Sequence, residues 1–290
     1  MKPFMLMLMG WHLAAAGLQA QVSVEVILDQ EKFLQEQSLP VKVRITNRAG
    51  QPLHLGKEAD WINFHVESVE ENVVRRRAPV KVDGEFTLDS SKMAMREVDL
   101  LPFFELPTGR YRITASVRLK DWNREILSDP EKFEIVRGTK LWQQTVGVPQ
   151  PSGPPESRTY MLLQASYLDQ LYLYVRITDL AELQIYRVLP IGRLLSFSRP
   201  EAQIDRNSSL HLLFQTGPRD FTYAVVDPYG RFQFRHRYQY TTSRPSLKSH
   251  PDGTIGVQGG LRKLTRFDIP PPTLKPKIAP PPDDASPAAP

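Results

Sequence analysis

Apolar and polar residues alternate with a period of two in one short run after another: "VSVEVIL" at 22–28, "PVKVRITN" at 40–47, "INFHVESV" at 62–69, "YRITASVRL" at 111–119 and "KFEIV" at 132–136. That period sends successive side chains to opposite faces of an extended chain, so each run predicts a half-buried strand. Turn-forming residues separate the runs: Asn47 to Pro52, Asp83-Gly84, Pro107 to Gly109, and Ser128 to Pro130. Short strands at this spacing predict an all-β sandwich over 21–137.

The second half repeats itself. "SRPEAQIDRNSSLHLLFQ" begins at Ser198 and "SRPSLKSHPDGTIGVQGG" at Ser243, 45 positions on, so that Leu210 falls on Ile255 and Leu212 on Val257. "PIGRL" at 190–194 answers "PYGRF" at 228–232, and "LYLYV" at 171–175 answers "LHLLF" at 210–214. Each unit reads as four strands with a Pro-x-Gly-Arg turn before the last, which gives two units at 158–198 and 199–243 and a partial third at 244–269. Units that leave a sheet face open must either stack on each other, as an open or sandwiched sheet, or assemble with another chain, so a homo-oligomer built through the repeats stays open. Between the halves, "VGVPQPSGPPESR" marks 138–157 as a proline-rich linker, with Trp142 as an anchor just before it. The tail at 270–290, closing with "APPPDDASPAAP", buries too little apolar area to offset ordering and predicts a disordered polyproline segment.

Two resemblances follow from these residues. "LPTGRYRI" places Tyr111 two residues after a turn glycine, at the head of a strand, and resembles the tyrosine corner of immunoglobulin-like sandwiches. "FLQEQSLPVKVRITNRAGQPLHLG" resembles the opening of bacterial immunoglobulin-like and macroglobulin-type domains. For 21–137 this implies a fold and a structural role for Tyr111, and no activity. The 40–45-residue period of the second half, with its turn placement, resembles a four-stranded β-propeller blade, although propellers close with ~4–8 blades. The same half is similar to repeat segments that follow an immunoglobulin-like domain in secreted bacterial proteins of uncharacterised activity.

Composition sets the address. An early lysine, an apolar run from Pro3 to Leu18 and closing small residues read as a secretory signal over 1–20, cleaved after Ala20. No other stretch is apolar enough to span a bilayer, so the expected location is periplasmic or extracellular, without a transmembrane segment after cleavage. The chain contains no cysteine, which excludes disulfides, thiolate metal sites and a cysteine nucleophile. Charge is uneven: 21–137 carries 18 basic and 20 acidic residues, net −2, and 138–290 carries 18 basic and 12 acidic, net +6.

No motif assigns catalysis, a cofactor or a metal. His54, His65, His211, His236 and His250 are scattered without ligand spacing. Asp205 and Asn207 supply too few oxygens for calcium and read as turn formers. The glycines of "GVQGGLRK" end a strand instead of opening a helix. Trp61 and Trp122 read as core or strand-edge aromatics.

The one stretch that looks like a site is "RFQFRHRYQY" at 231–240. Alternation assigns Phe232, Phe234, His236, Tyr238 and Tyr240 to a buried face. Arg231, Gln233, Arg235, Arg237 and Gln239 then form a ladder on the exposed face of an outer strand, with arginines about 7 Å apart. Such charge blocks edge-to-edge pairing; it also suits an anionic polymer or an acidic envelope protein. Nucleic acid is not expected, because the chain reads as exported and its rings as buried. The expectation is a non-catalytic binding or scaffolding protein of the bacterial cell envelope. The alternative is a secreted hydrolase whose site assembles from dispersed carboxylates.

Overall fold

The computed structural model describes residues 21–264, apart from 71 and 151. The expected signal at 1–20 and the tail at 270–290 lie outside the described residues. The described chain is all-β. It divides into two compact units: one of Leu39–Glu134 with the residues up to Glu31, the other of Lys32–Ser38 and everything from Ile135.

The strands of the first half are β1 (Val22–Leu28), β2 (Lys32–Leu34), β3 (Pro40–Asn47), β4 (Leu53–Leu55), β5 (Ile62–Ser68), β6 (Arg75–Arg76), β7 (Phe86–Leu88), β8 (Met93–Asp99), β9 (Phe104–Glu105), β10 (Gly109–Leu119), β11 (Arg124–Leu127) and β12 (Glu131–Val136). One sheet has the order β1-β3-β8; in the larger one β10 pairs with β5, β11 and β12. β1 lies against β10 and β11, so the two sheets face each other. Strict alternation makes this possible: in β3 every second residue is buried, Val41, Val43 and Ile45 among them, and β10 does the same with Tyr111, Ile113, Ala115 and Val117. The Tyr111 hydroxyl donates to Pro107 O at 2.6 Å and its ring stacks on Phe133. Trp61 is a core residue that donates its indole N–H to Val82 O at 2.8 Å.

The second half continues with β13 (Thr139–Val148), β14 (Glu156–Tyr167), β15 (Gln170–Thr178), β16 (Ile185–Leu194), β17 (Glu201–Ile204), β18 (Leu210–Gln215), β19 (Asp220–Val226), β20 (Phe232–Gln239), β21 (Ser246–Ser249), β22 (Ile255–Gln258) and β23 (Leu261–Lys263). β13-β14-β15-β16 form one antiparallel sheet, β17-β18-β19-β20-β23 a second, and β21-β22 a hairpin. The two sheets close on each other over a shared core that includes Tyr160, Leu162, Val175, Ile191, Leu212, Phe214 and Val226. The outer face of the second sheet is not open either. Leu213, Phe221, Tyr223 and Val225 pack there under Leu247, Ile255 and Val257 of the hairpin. Buried on both faces, β18 loses its alternation and reads as an unbroken run, LHLLFQ.

Two expectations need correction. The segment 138–157 is not a linker throughout: Thr139–Val148 is β13, because Trp142 and Val146, four apart on one face, both pack into the shared core. Its prolines sit in the connection to β14. "PIGRL" is not a turn. Pro190 and Gly192 lie inside β16, opposite Tyr174 and Leu173, with Ile191 bulged between them. β16 is an edge strand, where proline's missing N–H costs no ladder bond. Of the two expected ways of covering the open faces of the repeat units, the structure shows stacking of sheet on sheet. The 45-residue spacing survives at the level of hairpins, β17-β18 being displaced by 45 positions onto β21-β22. The two hairpins touch through Glu201, whose carboxylate accepts from Leu247 N at 2.7 Å.

Candidate functional site

β20 begins at a tight turn. Asp227 Oδ1 accepts the backbone N–H groups of Tyr229 and Arg231, both at 2.9 Å. Gly230 sits at φ +77 against Arg187, so close that a side chain would collide with it. The same aspartate holds the first two rungs of the ladder. Arg231 Nε lies 3.3 Å from Asp227 Oδ2, and Gln233 Nε2 donates to that oxygen at 3.2 Å.

The face assignment of 231–240 also changes. Opposite β19, Val226 pairs with Phe232 but Val225 pairs with Phe234, so Gln233 is an extra, bulged residue. A bulge shifts the alternation by one position. Phe232 therefore packs into the core between the sheets, while Phe234 and Tyr238 pack on the opposite face under the hairpin. His236 shares that face, buried and stacked on the Phe234 ring at 4.8 Å. Tyr240 lies past the strand end, 40% exposed, instead of in the buried set. Nor is β20 the outer strand over its whole length. β23 pairs with its end, setting Lys263 opposite Arg237 and Leu261 opposite Gln239.

Arg235, Arg237 and Gln239 remain as a shorter row on the Phe232 side. The Arg235 guanidinium lies 4.5 Å from the centre of the Phe232 ring, and its Nε is buried without an acceptor. Among the described residues it meets no carboxylate. Burial pushes its pKa down, and Arg237 pushes it further the same way. A guanidinium in such a place is a cation short of a counter-charge.

Sequence reasoning missed one polar cluster. Asp205 Oδ1 accepts the N–H groups of Asn207 and Ser209, the turn role expected of it, and its Oδ2 lies 3.2 Å from His211 Nε2. His211 Nδ1 lies 2.6 Å from Tyr223 Oη, which is itself 3.1 Å from Ile255 O of the hairpin. With Nε2–H donating to Asp205, Nδ1 accepts the single proton of the tyrosine hydroxyl, which then does not go to Ile255 O. Burial lowers the His211 pKa against the pull of Asp205, which favours this neutral form. The signal lay in His211 alternating with Leu210 and Leu212 just beyond the Asp205 turn. His211 and Tyr223 of this cluster are buried, Tyr223 beneath the hairpin.

Among the described residues the carboxyls with displaced pKa values are Glu70, Glu156 and Asp252. All three are lowered, chiefly by hydrogen bonds from Arg110, Arg158 and Thr254. A general acid needs the opposite shift.

No family model matches this chain. No curated protein matches it. Among solved structures it is similar to Spo0M, a sporulation control protein from Bacillus subtilis, at 9% identity and a TM-score of 0.29 over 60% of this chain and 90% of that one. A likeness at that level carries no argument about function.

Proposed function

We propose that the chain is an exported, non-catalytic binding protein of the bacterial cell envelope that engages an anionic polymer through the Arg235–Arg237 row of β20. The observation that carries this reading is the half-buried Arg235 guanidinium over Phe232, whose Nε finds no acceptor among the described residues, with Arg237 on the same row and Lys263 opposite Arg237. An anionic group placed over the row would supply the missing counter-charge and relieve the repulsion between the two arginines. The first unit is read as an immunoglobulin-like scaffold, a reading supported by the Tyr111 hydroxyl donating to Pro107 O. The pair Arg235→Gln and Arg237→Gln tests the site. Wild-type protein should be retained on a heparin-like or lipopolysaccharide matrix and elute as salt screens the charges; the double variant should elute at clearly lower salt. Equal elution of the two proteins would end the proposal.

A further inference from the structure

Independently of β20, the strands of the second unit end together at one rim. Tyr167 pairs with Gln170 across the β14–β15 turn, and Leu171 with Leu194 at the end of β16. The next residue, Leu195, donates its N–H to Gln215 O at 2.9 Å and so joins this edge to the end of β18. Gln215 pairs with Phe221 across the β18–β19 turn, and Tyr240 N–H reaches Arg219 O at 2.8 Å. One continuous line of backbone contacts therefore runs from the tip of the first sheet to the tip of the second.

Two large apolar side chains stand out from this rim: Leu168 is 67% exposed and Phe197 is 78% exposed. Leu168 is also in the wrong turn for its type. It and Asp169 occupy left-handed conformations, φ +47 and +58, in a two-residue hairpin loop where asparagine and glycine are favoured. Turn propensity and solubility both argue against a leucine there, so its presence points to a contact made outside the chain.

The cations of the rim share this outward character. Arg193, Arg199, Arg219 and Arg244 are all exposed, and none forms an ion pair with a described residue. Arg219 donates its Nε–H to Tyr240 O at 3.1 Å and lies by that ring, and the Arg244 guanidinium sits 5.3 Å from the Phe221 ring. Asp169 and Asp220 are the exposed acids among them.

We propose that this rim docks on the surface of an anionic lipid bilayer. The arginines would meet headgroup phosphates while Leu168 and Phe197 enter the boundary between headgroups and acyl chains, with Tyr240 at the level of the headgroups. Apolar tips on separate turns, ringed by unpaired arginines, match an interface that is anionic at its surface and apolar a few ångströms deeper. The attraction of each cation is short-ranged and screened by salt.

Co-sedimentation of the purified chain with vesicles tests this, using phosphatidylcholine alone and phosphatidylcholine mixed with phosphatidylglycerol. The wild type should bind the mixed vesicles, weakly the neutral ones, and lose binding as salt rises. Replacing Arg193, Arg199, Arg219 and Arg244 together with glutamine should weaken binding about a thousandfold. Leu168→Asn with Phe197→Ser should weaken it about tenfold. Asparagine suits the left-handed turn, so this second variant should melt like the wild type. Arg118→Gln, in the first unit, should leave vesicle binding unchanged. Equal wild-type binding to both vesicle types would overturn the proposal. So would vesicle binding that survives both rim variants, or a rim that retains soluble polyanions but not vesicles.

Discussion

β10 and β20 are both arginine-bearing strands, and they are held in opposite ways. In β10 every second residue is buried without interruption from Tyr111 to Leu119. Two of its three arginines answer to acids: Arg110 Nε lies 2.7 Å from Glu70, and Arg118 lies 3.1 Å from Asp60. In β20 the alternation breaks at Gln233, and beyond it Arg235 and Arg237 have no acidic partner among the described residues. The net charges of −2 and +6 in the two halves thus have local expression. Arg110 and Arg118 are neutralised locally, whereas Arg235 and Arg237 are presented. A surface is worth testing for binding where charge is left unbalanced, and composition alone does not say where that is.

The sharpest way to break this comparison is to remove one residue from each strand. Deleting Thr114 from β10 would move every following side chain to the wrong face, and Ala115 and Val117 would leave the core. The first unit should then lose its cooperative unfolding transition. Deleting Gln233 from β20 removes only the bulge. Phe232 would still face Val226, and Phe234 would still face Val225. The loss should be about 1 kcal/mol, the scale of the single bond from Gln233 to Asp227. Urea denaturation followed by tryptophan fluorescence and far-ultraviolet dichroism reads both. A Gln233 deletion that unfolds the second unit would mean the bulge is needed for the register.

The same contrast explains what was legible in the sequence. Period-two patterning reveals a strand when one face is buried and one is wet, so β3, β5 and β10 could be read directly. It fails for β18 and β19, where both faces are covered, and β13 was hidden behind the prolines that follow it. The 45-residue spacing was legible because it marks two real hairpins, β17-β18 and β21-β22. The partner sheet that covers them is a tertiary choice with no local signal. At the candidate site, alternation rightly separated Phe234, His236 and Tyr238 from Arg235 and Arg237. It misplaced Phe232, because a bulge has no signature in "RFQF", and it missed the hold of Asp227 on Arg231 and Gln233, which depends on turn geometry.

Single arginine substitutions sharpen the comparison at a smaller scale. Arg118→Gln removes a pair that is nearly half exposed, so it should cost a few tenths of a kcal/mol, less at high salt. Arg235→Gln removes a cation that burial and Arg237 both disfavour, so stability should hold or rise. Raising the salt should stabilise wild-type β20 slightly by screening the two arginines from each other. Denaturation midpoints of both variants at low and high salt check the opposite signs. A clear loss of stability in Arg235→Gln would reveal an internal counter-charge and remove the basis for ligand binding there.

The smallest expected effect is a pH dependence at the Glu70–Arg110 pair. Hydrogen bonds from Arg110, first through its side chain and then through its backbone, hold the Glu70 carboxyl below its ordinary value of 4.5. The folded state therefore binds a proton at Glu70 less readily than the unfolded chain does. The stabilisation from this pair is fully present above the unfolded pKa and fades as pH falls through the folded one. Glu70→Gln should melt below the wild type at pH 7, and the two curves should converge as the solution is taken from about pH 5 into more acid conditions. Because Glu70 is solvent-accessible, the gap at pH 7 should be small and should shrink with salt. Among the described residues Arg235 and Arg237 have no carboxyl to protonate, so Arg235→Gln should track the wild type across the same acid range. A gap for Glu70→Gln that persists unchanged into acid would show that the glutamate acts through shape and not through its charge.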